Sequence, residues 1–187
     1  MAEAFAKENV CVDCDQGQYQ DESGKPSCKG CVAGKWSNKT KLNNLTDCQN
    51  CTRGKYSSAI GVKNLAECNA CPPGKYSNEK GNPRSSKCHR CAADYYTEDS
   101  SAIACKVCDV GQYQVEEGAT VCLKCDAGRE IIGVLGSQSC QVCSTGMHSL
   151  TSGLNCSNCT AGTYVSKQND SCIGCPAGQW SSRTGLS

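Results

Sequence analysis

The stretch CPPGKYSNEKGNPRSSKCHRC (Cys71–Cys91) decides how this chain is built. It opens on the second cysteine of a C-x-x-C pair (Cys68/Cys71) and closes on the next pair (Cys88/Cys91). Between them a glycine stands three residues after Cys71, an aromatic two residues further on, then a serine and a polar loop with a second glycine. Working outward in both directions, the same frame recurs every 16 to 20 residues, and such self-similarity marks a repeat architecture. The pairs are Cys11/Cys14, Cys28/Cys31, Cys48/Cys51, Cys68/Cys71, Cys88/Cys91, Cys105/Cys108, Cys122/Cys125, Cys140/Cys143, Cys156/Cys159 and Cys172/Cys175, which use all 20 cysteines.

The flanking residues keep the same phase. Three residues after each pair come Gly17, Gly34, Gly54, Gly74, Gly111, Gly128, Gly146, Gly162 and Gly178, with Asp94 in the fifth place. Glycine permits a turn that a β-carbon obstructs, and aspartate is among the residues that tolerate a left-handed backbone. Two residues on come Tyr19, Trp36, Tyr56, Tyr76, Tyr96, Tyr113, Tyr164 and Trp180, with Glu130 and His148 as exceptions. This single large group per unit predicts packing over a neighbouring disulfide, in preference to a ligand-binding aromatic stripe. No 3.6-residue periodicity runs through the chain, so helices longer than a turn are not expected. The fold expected is an elongated tandem array of hairpin-like loops, small disulfide-rich repeats with short antiparallel strands at most and no common hydrophobic core. The units read 14–30, 31–50, 51–70, 71–90, 91–107, 108–124, 125–142, 143–158 and 159–174, with 1–13 ending a preceding incomplete repeat and 175–187 a truncated tenth.

Composition points the same way. Leu, Ile, Val and Phe total 25 of 187 residues, while 20 are cysteine; cysteine above roughly 8–10% marks a cross-linked scaffold. The formal net charge of +1 gives no basic face for a nucleic acid. The longest apolar run, Ile131–Leu135, is too short to span a bilayer, so no transmembrane segment is expected in this chain. Met1–Val10 carries Glu3, Lys7 and Glu8 and does not read as a secretory leader.

Paired C-x-x-C motifs also suit structural zinc. Against zinc stand the phased aromatic, the lack of any histidine in the ligand sets, and six N-glycosylation sequons at Asn38, Asn44, Asn50, Asn155, Asn158 and Asn169. With 12 Asn and 31 Ser or Thr, chance gives about two such triplets. Sequons imply the secretory pathway, where disulfides persist. N-linked glycans are therefore expected, at the cell surface or outside it, with no metal and no cofactor.

Two disulfide schemes use the phasing. Nested bridges, first-to-first and second-to-second, would make alternate units differ, and no alternation is visible. Serial bridges are therefore expected: Cys14–Cys28, Cys31–Cys48, Cys51–Cys68, Cys71–Cys88, Cys91–Cys105, Cys108–Cys122, Cys125–Cys140, Cys143–Cys156 and Cys159–Cys172. Cys11 and Cys175 are then unpaired within the chain, or bridged to an adjacent segment or subunit. The unit-by-unit reading takes the chain as a segment of a longer array.

The repeat resembles the ephrin-receptor-like cysteine-rich repeat, most clearly at Cys71–Cys91 and at CDVGQYQVEEGATVCLKC (Cys108–Cys125). It is also similar to the first module of tumour-necrosis-factor-receptor cysteine-rich domains. That resemblance implies serial bridging and secreted or cell-surface proteins, including long tandem arrays. The additional C-x-x-C crosses of true TNF-receptor domains are missing.

Three classes of function are weighed. The first is a structural extracellular glycoprotein, a disulfide-laddered rod in a surface fibre, filament, coat or stalk, whose partners are copies of itself or further repeats of the same chain. The second is a receptor or adhesion ectodomain binding a protein ligand, motivated by the apolar stretch REIIGVL (Arg129–Leu135). The third, an enzyme, is not expected: His89 and His148 have no nucleophile or carboxylate at a catalytic spacing, and no D-x-D-x-D-G calcium loop occurs. The hydroxyls after the aromatic position (Ser37, Ser57, Ser77, Thr97, Ser149, Ser181) are read as solvated or O-glycosylated.

Overall fold

The computed structural model describes residues 11–133, 139–150 and 155–187. Met1–Val10, and Val134 and Leu135 of the apolar stretch, lie outside the described residues. Eighteen cysteines form nine disulfides in the serial order, Cys14–Cys28 through Cys159–Cys172, each joining cysteines 13 to 17 residues apart. The thiolates that zinc would need are therefore committed to sulfur–sulfur bonds. The chain is an array of small disulfide-rich tandem repeats.

Each bridge closes one antiparallel hairpin, and the described strands form nine separate two-stranded sheets. The first strand begins at the residue after the turn glycine; the second is formed by the residues between the two cysteines of the next pair. In the first repeat Gln18 faces Gly30 and Tyr19 faces Lys29; in the fourth, Lys75 faces Arg90 and Tyr76 faces His89. The glycine carbonyl accepts from the amide of the cysteine that opens the next repeat, as Gly17 does from Cys31 and Gly74 from Cys91. A left-handed backbone is needed at the glycine, with φ of +75° at Gly17 and +77° at Gly74.

By contact density the chain forms two compact units, residues 1–70 with 78–87, and 71–77 with 88–187. Within the first, successive repeats are stitched by main-chain bonds. Gly34 donates to Ser57 O at 2.8 Å, Ser57 N–H to Asn82 O at 3.0 Å, and Gly81 N–H to Cys51 O at 2.9 Å. The second unit repeats this pattern: Gly74 donates to Thr97 O, Thr97 N–H to Ala119 O, and Gly118 N–H to Cys91 O. Backbone groups that small hairpins would leave to water are thus satisfied by the neighbour.

The longer loops of repeats 2 to 4 add one 3₁₀ turn each, at Leu45–Asp47, Leu65–Glu67 and Ser85–Lys87. Asn44 caps the first, accepting from Thr46 N–H while Asp47 accepts from Asn44 N–H, a reciprocal capping box.

Little of the interior is hydrocarbon. Among the described residues the largest fully buried side chains are Thr97, Asp94, Ser57, Ser77 and cysteines. One cluster packs Tyr19 over Cys31 and Cys48, with Leu42 and Leu45 beside it.

Candidate functional site

Each repeat position has a distinct assignment in the structure. The turn glycine serves two purposes. Besides its positive φ, a β-carbon on Gly17 would overlap the carbonyl oxygen of Gly61, and one on Gly34 that of Gly81. In the second unit Gly74 meets Gly118, Gly128 meets Gln168, and Gly146 meets Gly185 in the same way. Every one of these contacts joins a repeat to the second repeat along. Four of the five contacted residues, and Asn169 next to Gln168, belong to a second left-handed series: Gly24, Lys41, Gly61, Gly81, Ser101, Gly118, Asn169 and Gly185. Sequence reading missed this series because four residue types fill it. Asp94, the one non-glycine in the first series, is wholly buried at φ +61°, and its Oδ1 accepts from Gln114 N–H at 3.0 Å.

The hydroxyls after the aromatic require a correction. Ser37, Ser57, Ser77, Thr97 and Ser149 are buried, so they are neither solvated nor open to O-glycans. Ser37 Oγ accepts from Lys39 N–H, Ser57 Oγ from Ala59 N–H, and Thr97 Oγ1 from Asp99 N–H. These local turns fix the chain where it leaves the hairpin. Ser181, half-buried, accepts likewise from Arg183 N–H.

The two exceptions at the aromatic position also touch the next repeat. Glu130 Oε2 accepts from Cys156 N–H at 2.9 Å. His148 Nδ1 lies 3.0 Å from Ser157 O and against the sulfurs of Cys159 and Cys172. This histidine–cysteine trio is unsuited to a metal, since its sulfurs form a disulfide with each other. His89 packs beside Tyr76, ring centres 5.9 Å apart. The stretch from Arg129 forms a hairpin strand, Arg129–Ile132, pairing with Ser139–Val142; Ile131 lies opposite Cys140, and Ile132 is 41% exposed.

The sequon asparagines separate by environment. Asn38, Asn44, Asn50, Asn155 and Asn158 are exposed, whereas Asn169 is half-buried. Asn169 sits at φ +59° and its side-chain amide donates to Cys143 O at 2.9 Å. Its neighbour Asp170 accepts from the hydroxyls of Ser166 and Ser171 at 2.6 and 2.9 Å, which hold its carboxyl below the usual carboxylate range.

Two cysteines stay outside the bridges: Cys11, exposed, and Cys175, half-buried. Each lines an open groove, Cys11 with Val12, Gln18 and Pro26, and Cys175 with Tyr164, Trp180 and Leu186. Trp180 is 82% exposed, unlike the other aromatics of its series. Among the described residues no helix is long and apolar enough to cross a membrane.

Comparison with protein-family models and with curated proteins gives no match. The disulfides themselves mark a secreted or extracellular protein.

Proposed function

We propose that this chain is a non-catalytic structural glycoprotein of the cell surface, a disulfide-laddered element of a fibre, filament, coat or stalk. The observation carrying this reading is that the recurring residues of the repeat are spent on joining it to its neighbours. The glycine, the hydroxyl, the second left-handed residue and the cysteines are consumed in bridges, turns and inter-repeat main-chain bonds. What remains on the surface is polar loop with scattered apolar side chains such as Ile60 and Val110, and five exposed sequon asparagines, suited to a hydrated, glycan-covered exterior. The resemblance to ephrin-receptor-like repeats supports the same class.

The test is antibody labelling of unpermeabilised cells, combined with intact mass before and after enzymatic removal of N-glycans. Labelled surface fibres or coat and a mass decrease of several glycans are expected. Label confined to the cytoplasm, or a chain with free thiols throughout, would falsify the reading.

A further inference from the structure

We propose that the bridge Cys159–Cys172 is a thiol-exchange site, at which a low-molecular-weight thiol is captured on Cys172 while His148 protonates the departing Cys159. The site concerns one bridge of nine and does not rest on the surface role.

The aromatic position of one repeat lies over the bridge of the next, as Tyr19 does over Cys31 and Cys48. In repeats 7 and 8 that position holds Glu130 and His148. Glu130 Oε2 accepts from Cys156 N–H, beside the bridge Cys143–Cys156. His148 Nδ1 lies 3.1 Å from Cys172 Sγ and 3.8 Å from Cys159 Sγ. The two bridges are otherwise matched. Each joins cysteines 13 residues apart, and each has one buried residue, Cys143 or Cys159, and one half-buried, Cys156 or Cys172. One is attended by a carboxylate and the other by an imidazole. Elsewhere the position holds tyrosine or tryptophan, which carry no positive charge.

The proton stands where exchange needs it. Ser157 O, which can only accept, is 3.0 Å from Nδ1, so this nitrogen carries a hydrogen. The incoming thiolate bonds to Cys172 Sγ, the half-buried side; the bond between the two sulfurs breaks and its electron pair stays on Cys159. Cys159 is wholly buried, and a buried thiolate without a cation is costly. An imidazolium at His148 supplies the cation and then the proton, Nδ1–H passing to Cys159 Sγ and leaving a neutral ring protonated on Nε2. A leaving thiol whose pKa is lowered departs faster. A second thiol then attacks the captured one, freeing Cys172 as a thiol and releasing a low-molecular-weight disulfide. Two thiols are oxidised for the one bridge reduced. The strands against His148, Ser157–Asn158 and Cys172–Gly174, carry no acidic or basic side chain. The charged residues of repeats 8 to 10 are Lys167, Asp170, tied to Ser166 and Ser171, and Arg183, while Glu130 reaches in from repeat 7 to Cys156 N–H.

The test exposes the oxidised 187-residue chain to reduced glutathione and reads each bridge by differential alkylation and peptide mass spectrometry. Cys159–Cys172 should open first, about tenfold or more ahead of Cys143–Cys156, with glutathione trapped on Cys172 and not on Cys159. With rates expressed per glutathione thiolate, the ratio between the two bridges should rise as pH falls from about 8 to about 6, where histidine takes up its charge. His148→Tyr, which installs the commonest residue of that position, should abolish both the lead and its pH dependence; nine serial bridges mapped before thiol is added show that the variant has folded. If it does not form them, the wild-type pH ratio decides alone. Earlier opening of Cys108–Cys122, whose cysteines are both half-buried, would make exposure decisive and overturn the proposal. Glutathione on Cys159, a ratio indifferent to pH, or an undiminished lead in His148→Tyr would overturn it as well.

Discussion

At the scale of single residues, the turn glycines carry two separable burdens. Gly34 has φ of +82° and no room for a β-carbon beside Gly81, whereas Gly24 has φ of +74° in open space. Gly24→Ala therefore costs only the left-handed backbone penalty, about 1–2 kcal/mol. Gly34→Ala adds displacement of a neighbouring backbone and should cost about 3 kcal/mol or more; denaturant unfolding of the two variants measures the difference. Equal losses would show that the contact with the second repeat along carries no energy. The asparagines divide similarly. Asn38→Gln should remove one glycan and leave stability unchanged. Asn169→Gln should lower the unfolding midpoint before and after enzymatic deglycosylation alike, because it loses the bond to Cys143 O and a residue suited to φ +59°. The sequence displayed six equivalent triplets; only the local backbone separates them.

At the scale of the element, the hairpin and its bridge were legible in advance, and the joints between hairpins were not. Cysteine phase selected the serial bridges, because loops of similar length, phased alike with few exceptions (Asp94, Glu130 and His148), leave no place for alternation. The 3₁₀ turns had a readable signal that went unused: Asn44 and Asn64 each stand three residues before an acidic residue, Asp47 and Glu67, just ahead of a cysteine. The buried hydroxyls had none, since a serine after an aromatic looks the same whether it faces water or its own backbone. Repeat 9 gives this scale its prediction. Asp170 is tied to Ser166 and Ser171, first the former, and its carboxyl pKa is depressed in the folded chain. The contribution is thus fully present above the ordinary carboxylate value, about 4, and is lost as pH falls through the lower folded value. Protection factors across 166–171, taken relative to the intrinsic exchange rate at each pH, should fall under acid with the bridge at Cys159–Cys172 unaffected, and Asp170→Asn should remove that acid dependence. An unchanged acid response in the variant would assign the effect elsewhere.

At the scale of the whole molecule, the question is how far a local break travels. An ordinary domain of this length shares one core, so a single lesion lowers the protection of all its amides together. Here apolar burial is scattered, and each repeat is held by one bridge and by bonds to its neighbours, which is the nearest-neighbour regime of repeat arrays. Removing the bridge of repeat 5 with Cys91→Ala and Cys105→Ala opens a loop whose ends are 14 residues apart. That bridge is worth roughly 3 kcal/mol by chain entropy. Amides of Thr97, Ser101 and Gly118 bond across the joints of that repeat to Ala119, Cys71 and Cys91, and Gly74 bonds to Thr97; these four should lose protection. Val165, Cys175 and Gly185, bonded between repeats 9 and 10 of the same unit, should keep theirs. Amide exchange followed residue by residue reads the two groups in one experiment. Loss in both groups at the same rate would mean that the unit unfolds as one body, and that the inter-repeat bonds are strong enough to make the array cooperative. Retention in the distant group assigns stability to the bridges one repeat at a time, the arrangement suited to a chain that must survive local damage without coming apart.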